Sequence, residues 1–307
     1  MRETAPISLP VRCTVRSKGC DHISVLQIPV ECSGEMPLGA YLRTCAGISA
    51  HMLKRLKAVP DGMTRNGVHI RSIDPVRSGD VIRLHFPEAA TQQPNPALDV
   101  PVVYDSAQLL VCDKPAGMPV HPSMLHRDDT LANWFAAVYP DCGFHLVNRL
   151  DRNTSGLCLI AKTAYAANAL RGQVEKRYYA LTPAGLTGSG TIDAPIAREQ
   201  ESVITRCVRA DGRHAVTHYR VLESAPDCTL LELMLETGRT HQIRVHLAHI
   251  GYPLLGDDLY GGNCSVLKIH ALHCGMLRFP DPANGEIQTV TAALRNDMNE
   301  CLKGHIR

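Results

Sequence analysis

The chain has 307 residues, of which 45% are hydrophobic and 20% are charged. This composition excludes a disordered chain, and the length predicts about two domains. No apolar run approaches the roughly 18 residues of a transmembrane helix, so a membrane-spanning protein is excluded as well. The formal net charge of +2 is too small to indicate or exclude a nucleic-acid partner.

The first residues contain charge and proline instead of an apolar signal core, which predicts a cytoplasmic protein. The cysteines form no Cys-x-x-Cys pair, and several lie in apolar runs, as Cys112 and Cys158 do. They are expected to be buried free thiols in a reducing compartment. Three histidines lack a complete set of metal ligands around them and are expected to form ordinary hydrogen bonds: His241, His246 and His249. Glycine-rich nucleotide-binding loops are absent too, so no metal and no cofactor are predicted.

A short helix is predicted after Ser49, a residue suited to the N-cap position. Its apolar residues share one face, and three basic residues fall mostly on the opposite side: Lys54, Arg55 and Lys57. Between residues 41 and 88, eight lysines and arginines stand against four acidic residues, a net charge of +4. The basic face could be an ordinary solvated surface or a patch for phosphate groups. Alternating apolar residues predict a strand over 81–86.

A stretch rich in proline and glutamine, residues 89–99, is predicted to be a linker. It separates a small N-terminal part from a larger part, residues 100–307. The larger part contains many short strand patterns and few helical ones, and regular alternation of strands and helices is absent. This indicates an α+β fold on a mixed, mostly antiparallel sheet, and it argues against a doubly wound dinucleotide fold.

The most unusual segment of the larger part is residues 145–163, where Asp151 stands between Arg149 and Arg152. Nearby positive charge favours an ionised carboxylate, and a fixed carboxylate can act as a nucleophile or a general base. From the residues alone, a structural ion pair at a tight turn is an equal alternative.

Two further segments place arginine or tyrosine beside predicted strand ends. Arg239 and Arg244 lie at a polar turn before a predicted helix, an arrangement suited to binding phosphate or carboxylate groups. Tyr178 follows two basic residues at the start of a strand. There it could stack on a nucleic-acid base or pack in the core.

Three segments, in this order, resemble the RluA-type family of pseudouridine synthases: residues 148–157 (NRLDRNTSGL), 176–181 (KRYYAL) and 236–262. Residues 114–123 and 269–282 also look like strand motifs of that family. The resemblance extends over almost the whole larger part, which implies the catalytic domain of such an enzyme.

The small part is similar to the S-four-type RNA-binding domain, with a short helix, a basic second helix and a β-hairpin. That domain is expected over residues 37–88, with residues 1–36 as an N-terminal extension. Two features depart from the families. Asn148 stands where many synthases have histidine, and residues 58–70 differ from the usual turn of the small domain.

The resemblance implies roles for single residues. Asp151 is expected to be the catalytic carboxylate and Arg244 to pair with it, with Arg239 as the second choice for that pairing. Tyr178 is expected to stack on the target base and to help move protons. Arg149 is expected to reach into the RNA where the base has left. The three basic residues of the predicted helix after Ser49 are expected to contact RNA.

Such enzymes isomerise uridine within RNA after flipping the base out of its stack, and they need no cofactor. The resemblance therefore implies RNA as the partner, with large-subunit ribosomal RNA favoured over transfer RNA, and a monomer is the default. Whether Asp151 acts first as nucleophile or as base is left open. The alternative function is a non-enzymatic RNA-binding factor in ribosome assembly. The presence of Asp151, Tyr178 and Arg244 together argues against that alternative.

Overall fold

The computed structural model describes residues 12–13, 23–87, 92–200 and 204–304 of the protein. These residues form a small N-terminal domain and a larger domain, each with its own hydrophobic cluster. No helix within these ranges is long and apolar enough to cross a membrane.

The small domain is built on an antiparallel sheet of five strands, in the order β1-β2-β7-β4-β5, covered by two helices. A second, two-stranded pairing joins β3 to β6. The elements are β1 (Arg12–Cys13), β2 (Ile23–Pro29), β3 (Met36–Pro37), α1 (Leu38–Thr44), α2 (Ala50–Lys57), β4 (Met63–Arg65), β5 (Val68–His69), β6 (Pro75–Val76) and β7 (Val81–Pro87).

The helix and strand predicted in this domain are confirmed. The Ser49 side chain accepts a hydrogen bond from the Met52 backbone at 3.2 Å and caps α2. Ile82 and Leu84 of β7 are fully buried while Arg83 is exposed, the alternation that the sequence predicts. Local capping and periodicity therefore determine both elements.

The predicted start of this domain at residue 37 is wrong. β2 lies within the supposed extension, yet it pairs with β7 along its whole length, from Ile23 opposite Pro87 to Pro29 opposite Val81. Its Leu26 is buried in the core of the small domain. The strand pattern was present in the sequence, but its partner is more than fifty residues away and only the tertiary fold shows the pairing.

The predicted linker is also partly ordered against the larger domain. The Asn133 side chain donates to the carbonyl of Gln93 at 2.7 Å, and the backbone N–H of Asn95 donates to the Asn133 carbonyl at 3.0 Å. Residues 92–99 are thus attached to the larger domain by hydrogen bonds that their composition did not predict.

The larger domain contains a ten-stranded sheet whose main path is β13-β16-β17-β12-β18-β11-β9-β8, with β10 beside β11 and β19 beside β18. Its elements are β8 (Val102–Asp105), β9 (Leu109–Lys114), α3 (Leu131–Val138), β10 (His145–Leu146), β11 (Ser155–Ala161), α4 (Ala164–Ala169), β12 (Glu175–Pro183), β13 (Ser189–Asp193), β14 (Ile196–Arg198), β15 (Arg206–Val208), β16 (Val216–Ser224), β17 (Cys228–Leu235), α5 (Gln242–His249), β18 (Leu272–Pro280), β19 (Ile287–Thr291) and α6 (Asn296–Leu302).

All pairings in this sheet are antiparallel except that of β11 with β18, so the predicted mixed, mostly antiparallel α+β fold is confirmed. The parallel pair depends on Gly156, which has φ +107°. A Cβ at this position would lie 2.3 Å from the carbonyl oxygen of Cys274 in β18, so only glycine fits. This close contact fixes the turn before β11, which contains Asp151, at the centre of the sheet.

Ten cysteines in the described ranges are free thiols. The predicted burial holds for only part of them, because Cys45 is exposed and four others are half-buried. The buried ones are Cys112, Cys158, Cys228, Cys274 and Cys301.

Candidate active site

Asp151 lines an open cavity of about 460 Å³ beside the centre of the larger sheet. Its side chain is 24% exposed, so it is accessible from the cavity. The turn that presents it is fixed by Asn148, whose amide donates to the Leu157 carbonyl at 2.9 Å and accepts the Leu159 backbone N–H at 2.7 Å. Asn148 is therefore suited to this buried position although many relatives of the resembled family have histidine there.

A buried lysine forms hydrogen bonds to the backbone of the same turn. Lys114 is fully buried, and its ammonium group donates to the carbonyls of Pro115, Met118 and Arg152 at 2.8, 2.8 and 3.0 Å. Burial lowers the pKa of Lys114 to about 8, and the charge of Asp151 acts in the opposite direction. Because Arg152 directly follows Asp151, this lysine restricts the backbone next to the carboxylate.

The arginine and the histidine that face Asp151 come from the segment at the start of α5. Arg244 Nη1 lies 3.9 Å and His241 Nε2 lies 3.8 Å from the same oxygen, Oδ2 of Asp151. The neighbours in sequence point elsewhere, since Arg149 donates to Thr240 at 3.1 Å and Arg152 contacts His126 at 3.2 Å. The expected positive environment exists, but not from the two arginines that flank Asp151 in sequence.

Arg244 has a second and closer carboxylate partner. Its Nε and Nη2 atoms donate to Oδ2 and Oδ1 of Asp257 at 2.8 and 2.7 Å, and both residues are buried. Burial lowers the pKa of Arg244, but the hydrogen bonds to Asp257 outweigh burial and raise it above its usual value. The guanidinium is thus a permanent, oriented cation that turns its remaining nitrogen towards Asp151.

The opposite wall of the cavity comes from β12. Tyr178 and Lys176 both line the cavity, and Tyr178 is only 6% exposed because most of its ring lies in the core. Burial raises the pKa of Tyr178 well above its usual value, so the phenol keeps its proton at neutral pH. Burial has the opposite effect on the cation Lys176, whose pKa it lowers. Tyr178 therefore packs in the core and also borders the cavity, and its stacking on a base stays a prediction.

A second cavity of about 450 Å³ adjoins the first and shares Arg149, Gly238 and Arg239 with it. Five arginines line this second cavity: Arg149, Arg198, Arg206, Arg213 and Arg239. Its one acidic lining residue, Asp211, is paired with Arg209 at 2.5 Å. We call the second cavity, with the five arginines that line it, the arginine groove. Arg239, which was the second choice for pairing with Asp151, belongs to this groove, and its Nε donates to the His214 carbonyl at 3.0 Å.

Sequence reasoning assigned no role to several residues of the site. Lys114, Lys176 and Asp257 received none, and His241 was expected only to form hydrogen bonds. The basic residues of α2 lie outside the cavity, on the exposed face of the small domain: Lys54, Arg55 and Lys57. Among the described residues, no group of three or more histidine, cysteine or acidic side chains could hold a metal ion.

The site lies in the part of the chain that matches a known family model. Residues 108–249 match the model described as RNA pseudouridylate synthase. An uncharacterised RNA pseudouridine synthase of Bacillus subtilis, YjbO, is 38% identical over 84% of this chain and 95% of its own length. The chain belongs to the RluA-type family of RNA pseudouridine synthases. It is therefore an enzyme that forms pseudouridine in RNA.

Two further comparisons describe other members and the fold. The protein named ribosomal large subunit pseudouridine synthase D of Pseudomonas aeruginosa is 38% identical over 76% of this chain and 82% of its own length. The structure of human RNA pseudouridylate synthase domain containing 4 superimposes with a TM-score of 0.54 at 25% identity, over 67% of this chain and 94% of that chain.

Proposed function

We propose that this pseudouridine synthase uses Asp151 as its catalytic carboxylate on a uridine flipped out of large-subunit ribosomal RNA. One observation supports the assignment most directly. Asp151 is a partly exposed carboxylate in a cavity of about 460 Å³, and one of its oxygens faces both a buried arginine and a histidine. A carboxylate held beside a cavity of this kind suits attack on the ribose or abstraction of its proton.

The other cavity residues have complementary roles in this proposal. Tyr178 offers a flat face to the uracil and a protonated hydroxyl near the ring. Arg244 places a positive charge beside Asp151 and is itself oriented by Asp257. Breaking the bond from nitrogen and forming one from carbon to the same ribose is an isomerisation, so the scheme needs neither an energy source nor a redox partner.

Base flipping costs a few kcal/mol, which contacts to the flanking RNA backbone can offset. The arginine groove supplies such contacts next to the cavity, because five guanidinium groups there stand against one already paired carboxylate. Arg149 lines both cavities and is the residue best placed to occupy the stack that the base has left.

The proposed RNA target rests on the names of relatives. Several matched proteins are named ribosomal large subunit pseudouridine synthase D, including those of Pseudomonas aeruginosa and Xanthomonas campestris. Transfer RNA remains the alternative target. We also propose a cytoplasmic monomer, and size-exclusion chromatography with light scattering tests the oligomeric state.

The small domain is proposed to bind RNA through the exposed basic face of α2. Residues Ala164 and Tyr165 of the larger domain pack against its core, and Asn168 donates to the Gly47 carbonyl at 3.1 Å. Deleting residues 1–90 should weaken RNA binding and lower activity at low RNA concentration. Because a deletion also exposes these contacts, the sharper variant replaces Lys54, Arg55 and Lys57 together by glutamine.

The triple variant should bind RNA more weakly. The slope of log affinity against log salt concentration should fall by about 0.7–0.9 for each of up to three phosphate contacts that are lost. Lys303→Gln, an exposed lysine paired with Glu300 on the far terminal helix, is the control. An unchanged affinity and salt slope would make the small domain a structural appendage.

The catalytic assignment is tested by tritium release from RNA labelled at carbon 5 of uridine, taken from cells that lack the gene. Asp151→Asn should abolish release and leave RNA binding nearly intact. The control is Asp258→Asn, which changes an exposed aspartate and should release tritium at the rate of the natural protein. If Asp151→Asn kept more than a few per cent of the activity, the assignment would be wrong. Chemical mapping of pseudouridine in ribosomal and transfer RNA then identifies the target.

A further inference from the structure

Two residues behind Asp151 have no role in the proposed function: His241 and Tyr260. The Nδ1 atom of His241 lies 2.7 Å from the Tyr260 hydroxyl, and its Nε2 atom lies 3.8 Å from Oδ2 of Asp151. The ring of Tyr260 also contacts Arg244, whose guanidinium carbon is 5.0 Å from the ring centre. Tyr260 therefore touches both groups that face the same carboxylate oxygen.

The contacts of His241 favour the neutral tautomer that carries its hydrogen on Nε2. The Tyr260 hydroxyl accepts the backbone N–H of Arg206 at 3.0 Å. Its single hydrogen is then free to be donated to Nδ1 of His241. A neutral imidazole that accepts at Nδ1 has its own hydrogen on Nε2. In this tautomer the histidine presents an N–H donor, not a lone pair, to Asp151, which is the arrangement that the nearby carboxylate favours.

The neutral state of the ring has a physical cause. Burial lowers the pKa of His241, and the positive charges of Arg244 and Arg206 act in the same direction, while Asp151 and Asp257 oppose them. The ring is 11% exposed and packs edge-on against Tyr260, with ring centres 5.7 Å apart. It has little freedom to turn its Nε2 away from the carboxylate.

The backbone of His241 supports a functional reason for this placement. The residue precedes α5 with φ 58° and ψ 18°, a left-handed conformation that only a few per cent of non-glycine residues adopt, histidine more often than most. Such conformations occur preferentially at active sites, where the surrounding structure enforces them. Here the conformation places the imidazole between Tyr260 and Asp151.

We propose that Tyr260 and His241 form a positioning pair that fixes Oδ2 of Asp151 through the Nε2 hydrogen and leaves Oδ1 directed at the ribose of the bound uridine. The pair deepens the proposed function and rests on the catalytic role of Asp151. Arg244 supplies charge and His241 supplies direction. The separation of 3.8 Å is expected to shorten when RNA binds, as catalytic hydrogen bonds commonly do.

The test compares two substitutions that preserve different ends of the imidazole. His241→Gln can place a donor where Nε2 stands, whereas His241→Asn reaches only the position of Nδ1. Asparagine tolerates the left-handed backbone better than glutamine, so a purely structural role would favour the asparagine variant. The control is His249→Asn, which changes an exposed histidine at the last position of α5. Single-turnover rates at saturating RNA, RNA affinity and Tm are measured for each protein.

We expect His241→Gln to retain a single-turnover rate within about threefold of the natural protein and His241→Asn to lose about tenfold or more, with RNA affinity unchanged in both. Tyr260→Phe should lower the rate severalfold, and combining it with His241→Asn should cause no further loss, because both changes remove one interaction. His249→Asn should leave rate and Tm unchanged.

Equal rates for the two His241 variants, a loss confined to RNA affinity, or additive losses in the double variant would each overturn the positioning pair. Failure of the proposed function is distinguishable, because it would appear as turnover that survives Asp151→Asn.

Discussion

The substitution Asp257→Asn is expected to reduce both the stability of the protein and the rate of its reaction, because Arg244 depends on this carboxylate. The two side chains are joined by hydrogen bonds of 2.8 and 2.7 Å and are 5% and 0% exposed. Removing one member of a buried ion pair typically costs about 3–5 kcal/mol. Asparagine keeps one acceptor, so we expect the lower end, about 3 kcal/mol.

For a domain of about 200 residues, this loss corresponds to a fall in Tm of about 6–12 °C. The single tryptophan, Trp134, is buried in the core of the larger domain and reports its unfolding by fluorescence in a urea titration. The single-turnover rate should fall by about tenfold or more, because a less firmly held Arg244 no longer keeps its positive charge fixed beside Asp151. Asp258→Asn is the matched control, since Asp258 is exposed.

A double variant shows whether the loss of stability in Asp257→Asn comes from the unpaired charge of Arg244 or from poorer packing. Arg244→Met combined with Asp257→Leu removes both charges and should regain at least half of the stability lost in Asp257→Asn, while remaining inactive. A loss below about 1 kcal/mol in Asp257→Asn, or a double variant less stable than the single one, would refute the reasoning.

Three further predictions concern stability. Gly156→Ala should lower the free energy of unfolding by about 2–4 kcal/mol, because its Cβ would lie 2.3 Å from the Cys274 carbonyl oxygen; a urea midpoint equal to that of the natural protein would contradict this. Burial lowers the pKa of His270 to about 3 and that of His273 to about 4. Between these values and pH 6.5, the two histidines are therefore neutral in the native state but bind protons in the unfolded state. Stability should therefore fall as pH decreases below about 6.5, with the unfolding constant rising about tenfold per histidine per pH unit towards pH 4, and replacing both by glutamine should flatten this slope in urea titrations. Lys114→Met should lower Tm and turnover together, because three backbone carbonyls lose their donor; a fully folded variant with an unchanged rate would show that the turn before β11 holds without the lysine.

Local signals in the sequence determined several elements. Ser49 at a helix start and the alternation around Leu84 act within a few residues, so they could be interpreted without the fold. The strand-rich pattern of the larger part predicted the α+β sheet. The roles expected for Asp151 and Tyr178 came from the order of motifs, which matches a family. The roles of these residues stay proposals that the experiments above test.

Only the tertiary structure decided which side chains meet. The flanking Arg149 contacts Thr240, while Arg244 and His241, far along the chain, face Asp151, and Arg244 pairs most closely with Asp257. In the same way, β2 joins the small sheet through a partner distant in sequence. Composition and periodicity describe which face of an element is apolar, but not which other element will cover it. Contacts between distant residues depend on strand order and crossing, and these are properties of the packed chain as a whole.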